Sequence, residues 1–313
     1  MSFDLSQTLV IGVSSRALFD LEHENSIYQQ QSIAAYRSHQ LANEQTLLNK
    51  GTAFHLVEAL LGLNKLSDER LVEVVVMSKN SPDTGLRVLK AIRHYKLDIT
   101  RSAFSGGESL APFLKAYSVD LLLTRHEADA QIAIDTDDCA AALIYDPPEC
   151  YQPDNVKIRI AFDADAVIFS DESEYIYKTQ GLQRFQDNEI RNEEVALPDG
   201  PFAKLIRMLS RINQQLGAEH SPLSLSIVTA RNGPAHLRII NTLRQWNVFV
   251  DQAFFLGGMD KEPVLRAISP HIFFDDQPAH VRPASKSVPS SQVPYRSDSK
   301  LKQLPSSAPQ TER

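Results

Sequence analysis

Apolar and polar positions along the chain fall into two alternating patterns. Short, nearly continuous apolar runs occur at TLVIGV (8–13), LVEVVVM (71–77), DLLLT (120–124), AALIY (141–145), VKIRIAF (156–162), LSLSIVT (223–229), AFFL (253–256) and HIFFD (271–275). Runs of this kind predict strands covered on both faces, as in parallel sheets. Between them, TGLRVLKAIRHYK (84–96), FAKLIRMLSRINQQL (202–216) and AHLRIINTLRQW (235–246) repeat apolar residues at helical spacing. This alternation predicts an α/β fold with parallel sheets flanked by helices, in two Rossmann-like halves.

The punctuation divides the chain. IYDPPECYQPDN (144–155) is a proline-bearing link. It separates a first half, 1–150, from a second, 151–282. From 283 to 313 the composition turns to Ser, Pro and Gln with few apolar residues. Such a segment buries too little to offset its ordering entropy, so a disordered tail is expected.

Composition and charge narrow the function. The 313 residues are 42% hydrophobic and 23% charged, as in soluble globular proteins. The net charge of −7 and the lack of a long basic run argue against a nucleic-acid partner. No window approaches the ~18 apolar residues of a membrane span, and the N-terminus does not read as a signal peptide. Cys139 and Cys150 lack metal-ligand spacing, which fits a reduced, cytoplasmic setting. The histidines show no zinc-binding spacing.

The two halves align with each other. Residues 71–129 match 222–280 without a gap at an offset of 151, with eleven identities that include Arg87/Arg238, Gly106/Gly257, Gly107/Gly258 and Ser118/Ser269. Average composition gives about three or four by chance. Upstream, an offset of 149 pairs Gly51 with Gly200 and Asn64 with Asn213. An internal duplication is therefore expected. It isolates the chemistry. Where the second half has Asp163 and Asp165, the first has Ser14 and Arg16; Thr229 faces Ser78, Lys261 faces Leu110, and Asp275–Asp276 faces Thr124–Arg125.

Each of those second-half residues lies at the C-terminal end of a predicted strand or in the loop after it, the edge where open parallel sheets bind ligands. Crowded carboxylates repel unless a cation neutralises them, and an all-oxygen set selects a hard ion, Mg²⁺ first. A phosphate completes the picture, held by Lys261, the Thr229 hydroxyl and loop N–H groups. Asp163 is then placed to attack phosphorus. Asp165, two residues on, is placed to protonate the leaving alkoxide and later activate water.

The stretches AFDADAVIF, SIVTA, GGMDK and IFFDDQ resemble, in order, the four motifs of the haloacid dehalogenase-like phosphohydrolase superfamily. More closely, VSSRALFD, SKNSPDTGLRVLKAI, LDITRSAFSGG, AFDADAVIFSDESE and VTARNGPAHLRIINTLR are similar to the cytosolic 5′-nucleotidase type I family, over about residues 8–282. The resemblance implies Asp163 as nucleophile, Asp165 as acid/base, and Thr229, Ala230 and Lys261 as phosphate ligands. It implies Asp163, Asp165, Asp275 and Asp276 around Mg²⁺, and a nucleoside 5′-monophosphate, often AMP, as substrate. Ala164 stands where glycine is expected.

The insert at about 170–222 has helical patterns and is expected to form a small cap over the site. Ser170, Glu172, Arg231 and Asn232 lie close enough in sequence to touch substrate. In the first half Ser14, Ser15, Arg16, Asp83, Thr84 and Arg87 lack such chemistry. They are read as a substrate-pocket wall, a second nucleotide site or inter-domain packing. Two other functions stay open: a phosphatase of another small phosphomonoester, and a nucleotide-binding regulator with vestigial catalysis. Base preference and homo-oligomer formation are not legible.

Overall fold

The computed structural model describes residues 5, 7–136, 139–154, 156–217 and 219–304. They form two compact units that divide between Cys139 and Ala140.

The first unit contains β1 (Leu9–Val13), α1 (Ser15–Leu18), α2 (Glu22–Gln30), α3 (Ile33–Ala42), α4 (Phe54–Gly62), β2 (Val72–Ser78), α5 (Pro82–His94), β3 (Arg101–Phe104), α6 (Ala111–Ala116), β4 (Leu121–Thr124) and α7 (Glu127–Asp135). Its strands run in the order β3-β2-β1-β4, and every pairing is parallel. All residues of β1, β2 and β4 are buried, as their apolar runs require. Glu73 is the exception in kind. It is fully buried in mid-strand, and Arg70 and Arg101 hold its carboxylate at 2.5 and 2.7 Å.

The second unit contains β5 (Ala140–Ile144), β6 (Ile158–Phe162), α8 (Glu172–Arg191), α9 (Ala203–Gln215), β7 (Leu223–Thr229), α10 (His236–Gln245), β8 (Gln252–Phe255), α11 (Glu262–Ile268), β9 (Ile272–Asp275), α12 (Pro278–Ala284) and β10 (Ser290–Gln292). The strand order is β5-β10-β9-β6-β7-β8; β10 pairs antiparallel with β5, and the other pairings are parallel. Phe162, Phe202 and Phe274 pack together beneath the ends of β6 and β9. Val228, Leu265, Phe273, Ala284 and Val288 form a further buried cluster. Each large apolar side chain among them contributes about 1.5–3 kcal/mol by leaving water.

All eight expected strands are present. Two more were not expected. β3 is the outermost strand of its unit and is only half-buried, so RSAF carries no apolar run. β10 lies in the segment expected to be disordered. Residues 290–292 bond to β5 and β9, and Val288 and Val293 are buried. Partners distant in sequence thus supply the burial that the segment's own composition lacks, and disorder is corrected for 283–304. Residues 305–313 lie outside the described residues. The division falls before β5, earlier than residue 150, because β5 pairs with β10.

The insert is not uniform. In α9, Leu205, Ile206, Leu209 and Ile212 are buried as one apolar face, whereas α8 is mostly polar and buries Ser173, Glu174, Phe185 and Glu189. Gly51 and Gly200 serve a shared purpose. A Cβ on Gly200 would stand 2.2 Å from the Phe169 carbonyl oxygen, and one on Gly51 would stand 2.7 Å from that of Ala17. Both let the chain cross close over the turn that follows β6 in the second unit and β1 in the first. Read from its β8 edge, the second unit runs β8-β7-β6-β9, the same order as β3-β2-β1-β4.

Candidate active site

The C-terminal ends of β6, β7 and β9 bring the site together. Asp163 directly follows β6, and its backbone N–H donates to the Phe274 carbonyl at 2.8 Å, so the ends of β6 and β9 are joined. Asp275 closes β9, and Lys261 opens α11. The Lys261 ammonium lies 2.8 Å from Asp163 Oδ1 and 2.7 Å from Asp275 Oδ2, and all three residues are buried. Burial works against charge on Lys261, but Asp163 and Asp275 outweigh it and raise its pKa. Gln277 N–H donates to Asp275 Oδ1, and His280 Nδ1 is 3.2 Å from Asp275 Oδ2. Despite burial, Lys261 and His280 hold the Asp275 carboxyl below its ordinary range.

The neighbouring acids are less well balanced. Tyr295 donates its hydroxyl to Asp276 Oδ2, while buried Asp276 Oδ1 has no hydrogen-bond partner among the described residues. Glu174, from α8, accepts from Gln277 Nε2, meets Lys178 at 2.6 Å and stands against Asp276; its buried Oε2 meets no donor among the described residues. Burial raises the pKa of both acids, and the charge of Glu174 pushes Asp276 further up. Burial, opposed by Lys261 and reinforced by Asp275 and Asp165, pushes Asp163 up to about 7.

Asp165 is held apart from that cluster. The turn after Asp163 passes through Ala166 in the left-handed region, with φ +58°. Arg231 then grips Asp165 with both sides of its fork, Nε to Oδ2 at 2.8 Å and Nη2 to Oδ1 at 2.6 Å. Arg231 Nη1 reaches Glu189 at 2.5 Å, and Glu189 also takes Arg238 Nη1 and the Ser173 hydroxyl, each at 3.0 Å. Phe185 lies under the Arg231 guanidinium at 5.2 Å.

The loops after β7 and β8 fasten to each other. Gly257 and Gly258, both in the left-handed region, donate to the carbonyls of Arg231 and Ala230. Thr229 is buried, and its Oγ1 accepts from Arg231 N–H at 3.3 Å. Ala230 is exposed beside it. Ser170 is half-buried, its hydroxyl without a hydrogen-bond partner among the described residues, Glu172 is exposed, and Asn232 Oδ1 has a long 3.5 Å contact from Gln186. Arg231, expected as a substrate contact, has its guanidinium spent on Asp165, Glu189 and the Ala235 carbonyl. Sequence reasoning did not find Glu174, Glu189, His280 or Tyr295. Glu174 and Glu189 look like ordinary charges of a polar helix, and Tyr295 lay in a segment read as disordered.

The residues fit a metal cation. Ligand atoms from Asp163, Asp275 and His280 lie within 4.8 Å of one another. Lys261 already neutralises two of these; Asp276 and Glu174 crowd each other beside them with raised pKa values, and a cation there would relieve that crowding. A pH and metal dependence follows. Unfolded, Asp163 titrates near 3.8; folded, at about 7. The folded chain therefore holds the extra proton between these values, and stability is lost as pH rises through that window. Chelator-treated protein is expected to melt several °C lower at pH ~7.5 than at ~5.5. Millimolar Mg²⁺ should recover that loss, more at the higher pH. Calorimetry giving a melting temperature indifferent to both would contradict the assignment.

Among the described residues no helix is long and apolar enough to cross a membrane. No solved structure matches the chain. Human cytosolic 5′-nucleotidase 1B is 35% identical over 289 residues, covering 89% of this chain and 47% of that protein. The chain thus spans about half the length of this relative. The 5′-nucleotidase family profile matches residues 1–300, a span that includes every strand and every acid described above. With an acid set at the strand ends and a match across nearly its whole length, the chain belongs to the 5′-nucleotidase family.

Proposed function

We propose that the second unit is a Mg²⁺-dependent hydrolase of nucleoside 5′-monophosphates, AMP-like, acting through an aspartyl-phosphate. The observation that carries this is the buried Lys261 ammonium between Asp163 and Asp275 at the ends of adjacent strands. That arrangement holds a nucleophilic carboxylate beside a fixed cation, which suits a transferring phosphoryl group.

Asp163 attacks phosphorus; the bond to the ester oxygen breaks, and its electron pair stays on that oxygen. Asp165 gives the leaving oxygen a proton, so a nucleoside departs. A water then attacks the aspartyl-phosphate, Asp165 takes its proton, and Asp163 is released with inorganic phosphate. For Asp165 to exchange protons, one of its oxygens must leave the Arg231 fork, and Glu189 competes for the same guanidinium. Lys261, the Thr229 hydroxyl and the loop at Ala230 bind phosphate oxygens. Asp163, Asp275 and Asp276 would hold the Mg²⁺, with Glu174 near and Asp165 joining once one of its oxygens leaves the Arg231 fork; when bound, it supplies positive charge against the phosphoryl oxygens.

We read α8 as the cap. It touches the site at both ends, Glu174 to Gln277 and Glu189 to Arg231. The segment after β10 supports it, through Ser299 Oγ on Asp171 and Lys300 over Tyr175. α9 belongs to the scaffold. We also read the units as a haloacid dehalogenase-like pair from one duplication. The shared strand order supports this, as do two repeated bonds: Arg87 Nε to Thr46 O with Arg238 Nε to Val195 O, and Gly106 N to Asn80 O with Gly257 N to Arg231 O. The human relative, a cytosolic 5′-nucleotidase by name, supports a cytoplasmic setting.

The test is phosphate release from AMP, IMP and CMP against a panel of sugar phosphates, with Mg²⁺. Turnover of AMP at least ~10-fold above the sugar phosphates in kcat/KM is expected. Preference for a sugar phosphate would assign another phosphomonoester, and tight AMP binding without turnover would make the chain a regulator.

A further inference from the structure

We propose that the first unit holds a second, non-hydrolysing site for a nucleoside monophosphate. The proposal stands on a cavity of about 550 Å³ within that unit, opening where β1, β2 and β4 end. This is the ligand-binding edge of a parallel sheet, and the volume lies in the range of small-molecule sites.

The residues there are those the alignment sets against the acids of the second unit. Ser14 stands for Asp163, Arg16 for Asp165, and Thr124–Arg125 for Asp275–Asp276. The exchange removes the nucleophile and the metal-holding carboxylates, so neither hydrolysis nor a hard-cation site survives. It leaves hydroxyls and guanidinium groups, which suit the oxygens of a phosphate. The local architecture is retained. Ser78 Oγ accepts from Asn80 N–H as Thr229 Oγ1 does from Arg231 N–H, and Thr124 Oγ1 accepts from His126 N–H as Asp275 Oδ1 does from Gln277 N–H.

The charge of the cavity also points to an anion. Arg16, Arg37, Lys79 and Arg125 line it with two carboxylates, Glu24 and Asp129, while Arg37 is paired at 2.9 Å with Asp83 outside the lining, in a chain whose net charge is −7. Both carboxylates are engaged, Glu24 by Arg87 at 2.5 Å and Asp129 by Lys79 at 2.6 Å. Arg16 and Arg125 converge on one acid, Glu22, at 2.9 and 3.0 Å. That acid is 44% exposed, so a doubly charged phosphate can compete for the two guanidiniums. Buried Arg16 Nε has no acceptor among the described residues. For the rest of the ligand, Tyr28 and Tyr36 supply an edge-to-face aromatic pair in the wall, with ring centroids 5.8 Å apart. A flat base can stack there.

The proposal does not rest on catalysis in the second unit. The experiment is isothermal titration of the full chain carrying Asp163→Asn, which keeps AMP intact, with AMP and with adenosine as probes. Two AMP per chain are expected, with adenosine at least ~10-fold weaker at the first-unit site. Adding Arg16→Ala and Arg125→Ala should leave one AMP per chain, with cooperative thermal unfolding retained. Photolabelling with 8-azidoadenosine monophosphate needs no first-unit variant. It should mark peptides within residues 14–129 as well as beyond 139. One AMP per chain with label only in 14–129 would uphold this site and overturn the substrate reading of the second unit. Label confined beyond residue 139, with one AMP that the arginine changes leave undisturbed, would overturn the proposal.

Discussion

Replacing Asp163 with asparagine is expected to lower phosphate release from AMP by at least about 10³-fold while the chain stays folded. The amide has nearly the shape of the carboxylate but is not a nucleophile. The fold should tolerate it, because Lys261 keeps Asp275 at 2.7 Å and is not left buried without a counter-charge. The substitution also removes a carboxylate that burial disfavours in its charged form. The loss of melting temperature with rising pH in chelated protein should therefore shrink in the same variant. Single-turnover phosphate release and a melting curve check both parts. Release within about tenfold of the unsubstituted chain would remove Asp163 as nucleophile.

The second large effect belongs to a residue outside the phosphate-binding set. Glu189→Ala is expected to destabilise the chain by about 3–5 kcal/mol, a fall in melting temperature on the order of 10 °C. Glu189 is fully buried, and its two oxygens receive Arg231 and Arg238. Without it, two buried guanidiniums retain only Asp165 as carboxylate partner. Glu189→Gln keeps the shape and hydrogen-bonding capacity and should lose less. The activity consequence is separate. With its competitor gone, Arg231 stays on Asp165, so kcat should fall even at temperatures where the variant is folded, with KM changing less. Denaturant unfolding and steady-state kinetics on both variants test this; a melting shift under about 2 °C would show that the network does not carry the stability assigned to it.

How far the sequence reveals this molecule depends on whether a feature is local. β1, β2 and β7 are legible because both faces are buried, so every residue along them is selected for burial. β3 escaped because an outermost strand is half-buried and carries no continuous apolar run. β10 escaped for a stronger reason. Ser290, Ser291 and Gln292 become a strand only through β5 and β9, more than a hundred residues upstream in one case. Asp163, Thr229, Lys261 and Asp275 were legible as candidates because they fall at strand ends or in the loops after them, and strand ends can be located from pattern. Glu174 and Glu189 were not, since a polar helix uses glutamate freely at its surface.

By itself the sequence determined the alternation of strands and helices and the placing of Asp163, Asp165, Asp275 and Asp276 at or just after strand ends. These follow from local periodicity and from residue types that pattern alone can order. Only the tertiary structure decided which charges are buried together. It set Lys261 between Asp163 and Asp275, turned Arg231 from solvent to Asp165 and Glu189, and brought Tyr295 onto Asp276. It also left the first unit with a cavity lined by Arg16 and Arg125 at the strand ends that in the second carry acids. The physical reason is desolvation. A charge costs little at a surface and much in a core, and which of the two it meets is set by segments that pack from elsewhere in the chain.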